Sequence, residues 1–268
     1  MSNWVRFRDC WTLYPRQPRG LVEFVGGSYL AATPQISYRR LLEGLAARGI
    51  AIHAWSYVPG FDHQLQAREA WSAMRACRSR HQDRLGQLPS PLRLGHSLGC
   101  KLHLLAPDGG RNCNGLVALS FNNFTADQSI PLLDVVAPSL GVSTEFSPSP
   151  KETLRLIERQ YQQPRNQVVR FNKDKIDQSL DLITALQARK GDCSELLRLP
   201  GDHLTPASAG LRRQFLGDWA EGSDRQQQVN RLQDLITSWA LGGPVSVSYT
   251  HLRAHETKAN LVCRLLLE

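Results

Sequence analysis

Apolar residues recur along the chain in two rhythms, and the two alternate. Residues 21–25 (LVEFV) form a β-branched and aromatic run that stops at Gly26-Gly27, as a strand entering a loop would. Residues 36–48 then place Tyr38, Leu41, Leu42, Leu45 and Ala46 at helical spacing, and Gly49 ends the pattern. Residues 50–57 (IAIHAWSY) are the next expected strand, broken by Pro59-Gly60. A long helix is expected from about 62 to 85 and a short strand at 92–94, followed by a helix at 98–106 and a strand at 115–121. Helix 152–161, strand 167–171, helix 176–189, strand 195–199 and helix 226–240 complete the series. Strands alternating with helices imply a mostly parallel sheet with helices on both faces.

This pattern occupies most of 268 residues, a length that suits one domain with an insertion better than two domains. The insertion is residues 122–166, rich in proline and serine and holding one clear helix. A connection that long is expected to be a lid or binding loop. No stretch approaches the roughly eighteen apolar residues of a membrane helix, and the first ten residues lack the apolar core of a secretory signal. A cytoplasmic protein with no integral membrane segment is expected.

The formal charge of +8 invites a nucleic-acid reading, but the basic residues are scattered, with pairs such as Arg39-Arg40 and no stripe, so nucleic acid is not an expected partner. The six cysteines show no Cys-x-x-Cys pair, which favours reduced thiols, and no histidine or acidic cluster suggests a metal or other cofactor.

The helix at 226–240 ends at Gly242-Gly243-Pro244, a natural stop. Beyond it, residues 247–257 resemble the translation of a transposase-type sequencing adapter, and residues 260–268 that of the adjoining flow-cell primer. The domain is therefore taken as 1–246 and the segment 247–268 as a non-native tail. His251, His255 and Cys263 are discounted. Removing Arg253, Lys258 and Arg264 against Glu256 and Glu268 lowers the charge from +8 to +7.

Candidate chemistry enters with Gly95-His96-Ser97-Leu98-Gly99, set between a short apolar run and a helix. With 20 glycines in the chain the spacing alone is weak. Its setting is that of a nucleophile elbow, in which a serine is raised on a strained strand-to-helix bend of an α/β-hydrolase fold. A serine hydroxyl needs a base to take its proton and an acid to orient that base, and this fold orders them Ser, Asp or Glu, His. His203 lies just after the last strand and is the expected base. Asp174, in the loop after strand 167–171, is the preferred acid, with Asp177 at the start of the next helix as the alternative. Asp202 is too close to His203 in sequence to reach the far side of its ring.

Oxyanion donors are expected from the backbone N–H of Leu98 and from the loop Gly26-Gly27-Ser28, where glycines let backbone approach a ligand. A tight turn is the structural alternative for that loop. Asp62, His63, Asn122 and Asn123 lie at strand C-terminal ends, which face ligand in open parallel sheets. His96 is read as structural rather than as the base.

Several segments together resemble a family of unknown function found mainly in cyanobacteria and plant plastids and related to the α/β-hydrolases. They are Val25-Gly26-Gly27, Pro34-Gln35, Phe61-Asp62-His63, the elbow, Ser120-Phe121-Asn122-Asn123, Ile130-Pro131, Ser149-Pro150-Lys151-Glu152-Thr153, Asp174 with Ile176-Asp177, and His203-Leu204-Thr205-Pro206. The likeness spans about residues 11–239. It implies the fold and the candidate triad, and a plastid location for plant relatives, without supplying an activity. The expected function is a serine hydrolase acting on an ester or thioester, with a small-molecule or acyl-lipid substrate. The alternative is a non-catalytic binding or assembly protein that keeps the fold.

Overall fold

The computed structural model describes residues 3–87, 89–125, 145–208 and 223–243. Its eight strands are β1 (Val5–Phe7), β2 (Cys10–Leu13), β3 (Gly20–Val25), β4 (Ile50–Trp55), β5 (Leu92–His96), β6 (Gly115–Leu119), β7 (Asn166–Phe171) and β8 (Glu195–Leu199). They form one sheet in the order β1-β2-β4-β3-β5-β6-β7-β8. The pairs β1–β2 and β2–β4 are antiparallel, and every other pairing is parallel.

The helices are α1 (Pro34–Ser37), α2 (Arg39–Ala47), α3 (His63–Leu85), α4 (Leu98–Leu104), α5 (Pro150–Gln160), α6 (Ser179–Gln187) and α7 (Ser223–Ala240). Successive side chains of a strand point to opposite faces, so each inner strand feeds two cores. Val22 and Phe24 of β3, Leu92 and Leu94 of β5, and Val117 and Leu119 of β6 pack with Leu41, Leu42 and Leu45 of α2 and with Leu232, Leu235 and Trp239 of α7. On the other face Val25 and Trp55 meet Ala67, Ala70 and Met74 of α3 and Leu102 of α4. Farther along that face Leu116, Ala118 and Val168 meet Ile157 of α5 and Leu182 and Leu186 of α6. Strands β3, β4, β5 and β6 are buried along their whole length, which explains why they read as continuous apolar runs.

Three local departures from the periodic pattern have physical causes. The helix expected at 36–48 breaks at Tyr38, whose backbone leaves helical geometry (φ −121°, ψ 20°) and whose side chain is fully buried. The helix expected from 176 begins at Ser179, because Asp177 accepts the Ser179 N–H at 2.7 Å. The antiparallel strands β1 and β2 carry no apolar alternation to announce them. Two of the three β1 residues are exposed, and Arg8 takes the connecting turn at φ 51°.

The sheet grows outward in both directions from β3, with β4 on one side and β5 on the other. Such a switch in strand order opens a crevice at the C-terminal ends of the strands, and the loops after β3 and β5 share its rim.

Of the expected lid at 122–166, residues 126–144 lie outside the described residues, as do 244–268, which include the tail. The described part after the gap is built into the body. Ser147 bridges to Asp62 and its carbonyl accepts the His63 N–H at 2.8 Å, while Thr153 and Ile157 bury α5 in the core. Among the described residues no helix is long and apolar enough to cross a membrane, and the five cysteines are free.

Candidate active site

Ser97 is the single residue between β5 and α4, and it is held at φ 54°, ψ −121°, a backbone region that L-residues avoid. Its N–H donates to the Leu119 carbonyl at 2.9 Å, and its carbonyl accepts the Cys100 N–H at 3.1 Å, so the surrounding structure enforces the bend. The flanking glycines are required by contact. A Cβ on Gly95 would lie 2.6 Å from Cys100 Cα, and one on Gly99 would lie 2.0 Å from the Val25 carbonyl oxygen.

His203 and Asp174 are brought together from two loops at the same end of the sheet. Asp174 Oδ2 lies 2.8 Å from His203 Nδ1, with the carboxylate fully buried. Burial works to raise the Asp174 pKa, but the His203 hydrogen bond and charge, the nearby Ser120 hydroxyl and the Ile176 N–H outweigh it, so the carboxyl is held below its usual value. Among the described residues the buried Ser120 hydroxyl makes no hydrogen bond of good geometry, so it acts on Asp174 as a nearby dipole. Because a carboxylate can only accept, Nδ1 carries the proton and Nε2 of a neutral ring is left as an acceptor.

The two other aspartates weighed from sequence are committed elsewhere. Asp177 pairs with Arg170 at 3.1 Å and accepts the N–H of Ser179, the first residue of α6, at 2.7 Å. Asp202 shapes its own turn by accepting the Leu204 N–H at 3.0 Å, and it pairs with Arg225 at 3.1 Å.

His96 ties the parts together in a way that periodicity could not reveal. The Gly27 N–H donates to the Tyr38 hydroxyl oxygen at 2.8 Å, and that hydroxyl donates to His96 Nδ1 at 2.8 Å. The neutral His96 ring therefore carries its proton on Nε2, which donates to the His203 carbonyl at 2.8 Å. The His96 and His203 rings lie 5.0 Å apart between centroids. One continuous chain of hydrogen bonds thus runs from the β3 loop, through the residue preceding Ser97, to the backbone of His203. Tyr38 was read from sequence only as an apolar helical position. The signal for a second role is that it is the one residue of that stripe with a hydroxyl to place.

This chain also sorts the expected oxyanion donors. The Gly27 N–H is spent on Tyr38, whereas the Tyr57 hydroxyl donates to the Gly26 carbonyl at 3.0 Å and so fixes the loop without engaging the Gly26 N–H. Ser28 opens the 3-10 turn Ser28–Ala32 and Leu98 opens α4. The first amides of a helical turn have no partner within it, so both present N–H groups. A Cβ on Gly27 would come within 2.9 Å of Ser97 Cβ, which places this loop directly against the elbow.

A cleft enclosing about 730 Å³, counted with its open mouth, begins at these two residues. Ser28 and Leu98 line it, together with Val58, Phe61, Phe124 and Phe146, and with His63, Lys101, Asn122 and Asn123. Three of the four substrate-binding candidates from sequence therefore reach the cleft. The fourth, Asp62, caps α3 by accepting the Leu65 N–H at 2.8 Å and is not among the lining residues. Lys101 was not expected there. It is the one charged residue in a helix whose every residue is buried, and that isolation in sequence is the signal that could have marked it.

The fold is shared with solved esterases and serine hydrolases at low identity. An esterase of the planctomycete Thermogutta terrifontis, solved with butyrate bound, is 16% identical with a TM-score of 0.60, over 92% of this chain and 96% of that one. The esterase domain of a Rhodothermus marinus protein is 16% identical with a TM-score of 0.55, over 90% and 98%. The fluorophosphonate-binding serine hydrolase F of Staphylococcus aureus is 16% identical with a TM-score of 0.55, over 88% and 97%. The chain has the α/β-hydrolase fold. No curated protein matches the sequence significantly. The family model described as "Protein of unknown function (DUF1350)" matches residues 3–240, nearly all of the chain, and the chain accordingly belongs to the DUF1350 family.

Proposed function

We propose that the protein is a serine hydrolase that cleaves esters or thioesters through Ser97, His203 and Asp174. The observation that carries this reading is the 2.8 Å Asp174–His203 pair, docked through the His203 backbone onto the residue that precedes a strained Ser97.

In the first half-reaction His203 Nε2 takes the Ser97 Oγ proton as Oγ bonds to the substrate carbonyl carbon. Negative charge moves to the carbonyl oxygen, where the N–H groups of Leu98 and Ser28 receive it. The carbonyl re-forms, the bond to the alcohol or thiol breaks, and the leaving group departs with the proton from His203. In the second half-reaction water attacks the acyl-enzyme, gives its proton to His203, and the carboxylic acid leaves as Ser97 regains its proton. Asp174 holds the imidazole in the required tautomer throughout and stabilises its charged form.

Labelling with a fluorophosphonate probe tests the nucleophile. Wild type is expected to be labelled and Ser97→Ala not. A folded wild type that resists the probe would leave a binding protein on a hydrolase scaffold as the better reading.

A further inference from the structure

We infer that the substrate carries a carboxylate in addition to its ester or thioester bond, and that Lys101 and His63 hold it in the cleft beside Ser97. This rests on the hydrolase reading and assigns its substrate class.

Both residues are built into the site, and among the described residues they lack the partners that burial demands. Lys101 is 1% exposed, and among the described residues its Nζ has one recorded hydrogen bond, to the Pro148 carbonyl at 3.0 Å. An ammonium has three donors, and a buried charge is normally neutralised by a carboxylate. The acid that acts on it most is Glu152, an exposed residue in the first turn of α5. His63 is 2% exposed, and among the described residues both of its buried ring nitrogens are without a hydrogen-bond partner. Its ring packs on Phe146 with centroids 4.4 Å apart. A neutral imidazole keeps one N–H, so His63 offers a second unspent donor.

Position joins these donors to the chemistry. Lys101 follows Leu98 by three residues, about one helical turn or 5 Å along α4, on the same face. Both line the cleft that also holds His63 and Ser28. A carbonyl received by the Leu98 and Ser28 N–H groups and an anion at Lys101 would therefore share one cleft, whose walls include Val58, Phe61 and Phe146. One cation and one neutral donor match a carboxylate monoanion. A phosphate dianion would leave a second charge uncompensated against those apolar walls.

A matched pair of esters, mono-p-nitrophenyl adipate and p-nitrophenyl hexanoate, tests the assignment. Wild type is expected to show a KM for the adipate ester about tenfold lower or better, and Lys101→Met to bring the two KM values together. Lys101→Arg, which keeps the charge, is expected to restore part of the preference. The preference should also fade as pH rises through 7, because burial pushes the Lys101 ammonium down to about 7, against a smaller opposing effect of Glu152. His63, the other titratable group facing it, is pushed by burial and by Lys101 down to about 3 and stays neutral in that range.

Equal KM values in wild type, or a preference that survives Lys101→Met, would overturn the proposal while leaving the hydrolase reading intact. Calorimetric binding of free adipate and of inorganic phosphate to Ser97→Ala needs no turnover. Adipate binding that disappears when Lys101→Met is added supports the site even if no ester is cleaved and the hydrolase reading fails. Absence of adipate binding, or tighter binding of phosphate, overturns it.

Discussion

Arg93 and Lys101 are both cations buried on the sheet side that faces α3 and α4, yet their surroundings differ in kind. Arg93, on β5, lies 2.7 Å from Asp108, and the Arg78–Glu23 pair sits beside it at 2.9 Å. Asp108 is fixed in turn by the N–H groups of Gly110 and Asn112, both at 3.1 Å. Lys101, eight residues on, has a backbone carbonyl where Arg93 has a carboxylate. A buried charge with its counter-ion closes the floor of the sheet. One without a hydrogen-bonded counter-ion among the described residues is the charge that the proposed substrate carboxylate would meet. The same division separates Asp177, spent on Arg170 and a helix start, from Asp174, aimed at His203.

The aspartate pair gives the largest contrast. Asp174→Asn keeps the shape but removes the charge that orients His203, and it is expected to lower kcat by about 10⁴-fold. Asp177→Asn should leave kcat within about tenfold and instead cost about 1–3 kcal/mol of stability through the lost Arg170 partner. Steady-state kinetics with denaturant melts on both variants decides it, and equal kinetic losses would break the distinction.

The two cations come next, and with opposite signs. Arg93→Met strands the Asp108 carboxylate and is expected to destabilise the fold by about 3–5 kcal/mol. Lys101→Met removes an uncompensated charge and is expected to stabilise it by on the order of 2 kcal/mol at neutral pH and below. The Lys101 pKa is lowered on folding, from the ordinary 10.5 to about 7. Below about 7 the folded state carries the full cost of the charge. Between 7 and 10.5 the unfolded chain holds a proton that the folded one has released, so stability rises with pH. Wild type should show that rise in thermal melts, and Lys101→Met should lose it.

Gly27→Ala sharpens the comparison within the site. Its Cβ would press on Ser97 Cβ at 2.9 Å and on His96 Nδ1 at 3.2 Å. On the proposed mechanism, displacing the β3 loop moves the Ser28 donor off the developing oxyanion, for an expected loss of about 10²–10³-fold in kcat with KM changed little. A rise in KM alone would assign this loop to binding rather than to the transition state.

How far the sequence could be read tracks which interactions are local. The inner strands and the elbow were legible because their apolar runs and glycines answer to nearest neighbours, and Asp174 and His203 because the fold orders them along the chain. The antiparallel strands β1 and β2 were not, since Val5–Phe7 and Cys10–Leu13 are short, and β1, at the rim, has little to bury. The Asp177 alternative stayed open because a helix cap and a catalytic acid make the same demand on sequence. Only Arg170, seven residues earlier on β7, decides how that carboxylate is spent. Lys101 and Tyr38 were hidden for a related reason. Each carries a polar end in an otherwise apolar helical stretch, a mark that sequence shows, but its meaning depends on groups tens of residues away.

Tyr38 supplies the smallest and most discriminating of these changes. Its hydroxyl accepts from Gly27 and donates to His96, so Tyr38→Phe removes two hydrogen bonds while keeping the ring that packs on Phe24. Leaving a buried amide without its acceptor costs about 1–3 kcal/mol, part of which a small shift of the β3 loop can recover. If the hydroxyl served packing alone, the loss would appear in stability and kcat would stand. Because the same hydroxyl sets the His96 tautomer, and His96 Nε2 holds the His203 carbonyl, kcat is expected to fall about tenfold as well. His96→Gln, whose amide can still donate to that carbonyl, should then retain more activity than His96→Leu. Equal activity in the two would show that the chain from Gly27 to His203 supports the fold without positioning the base.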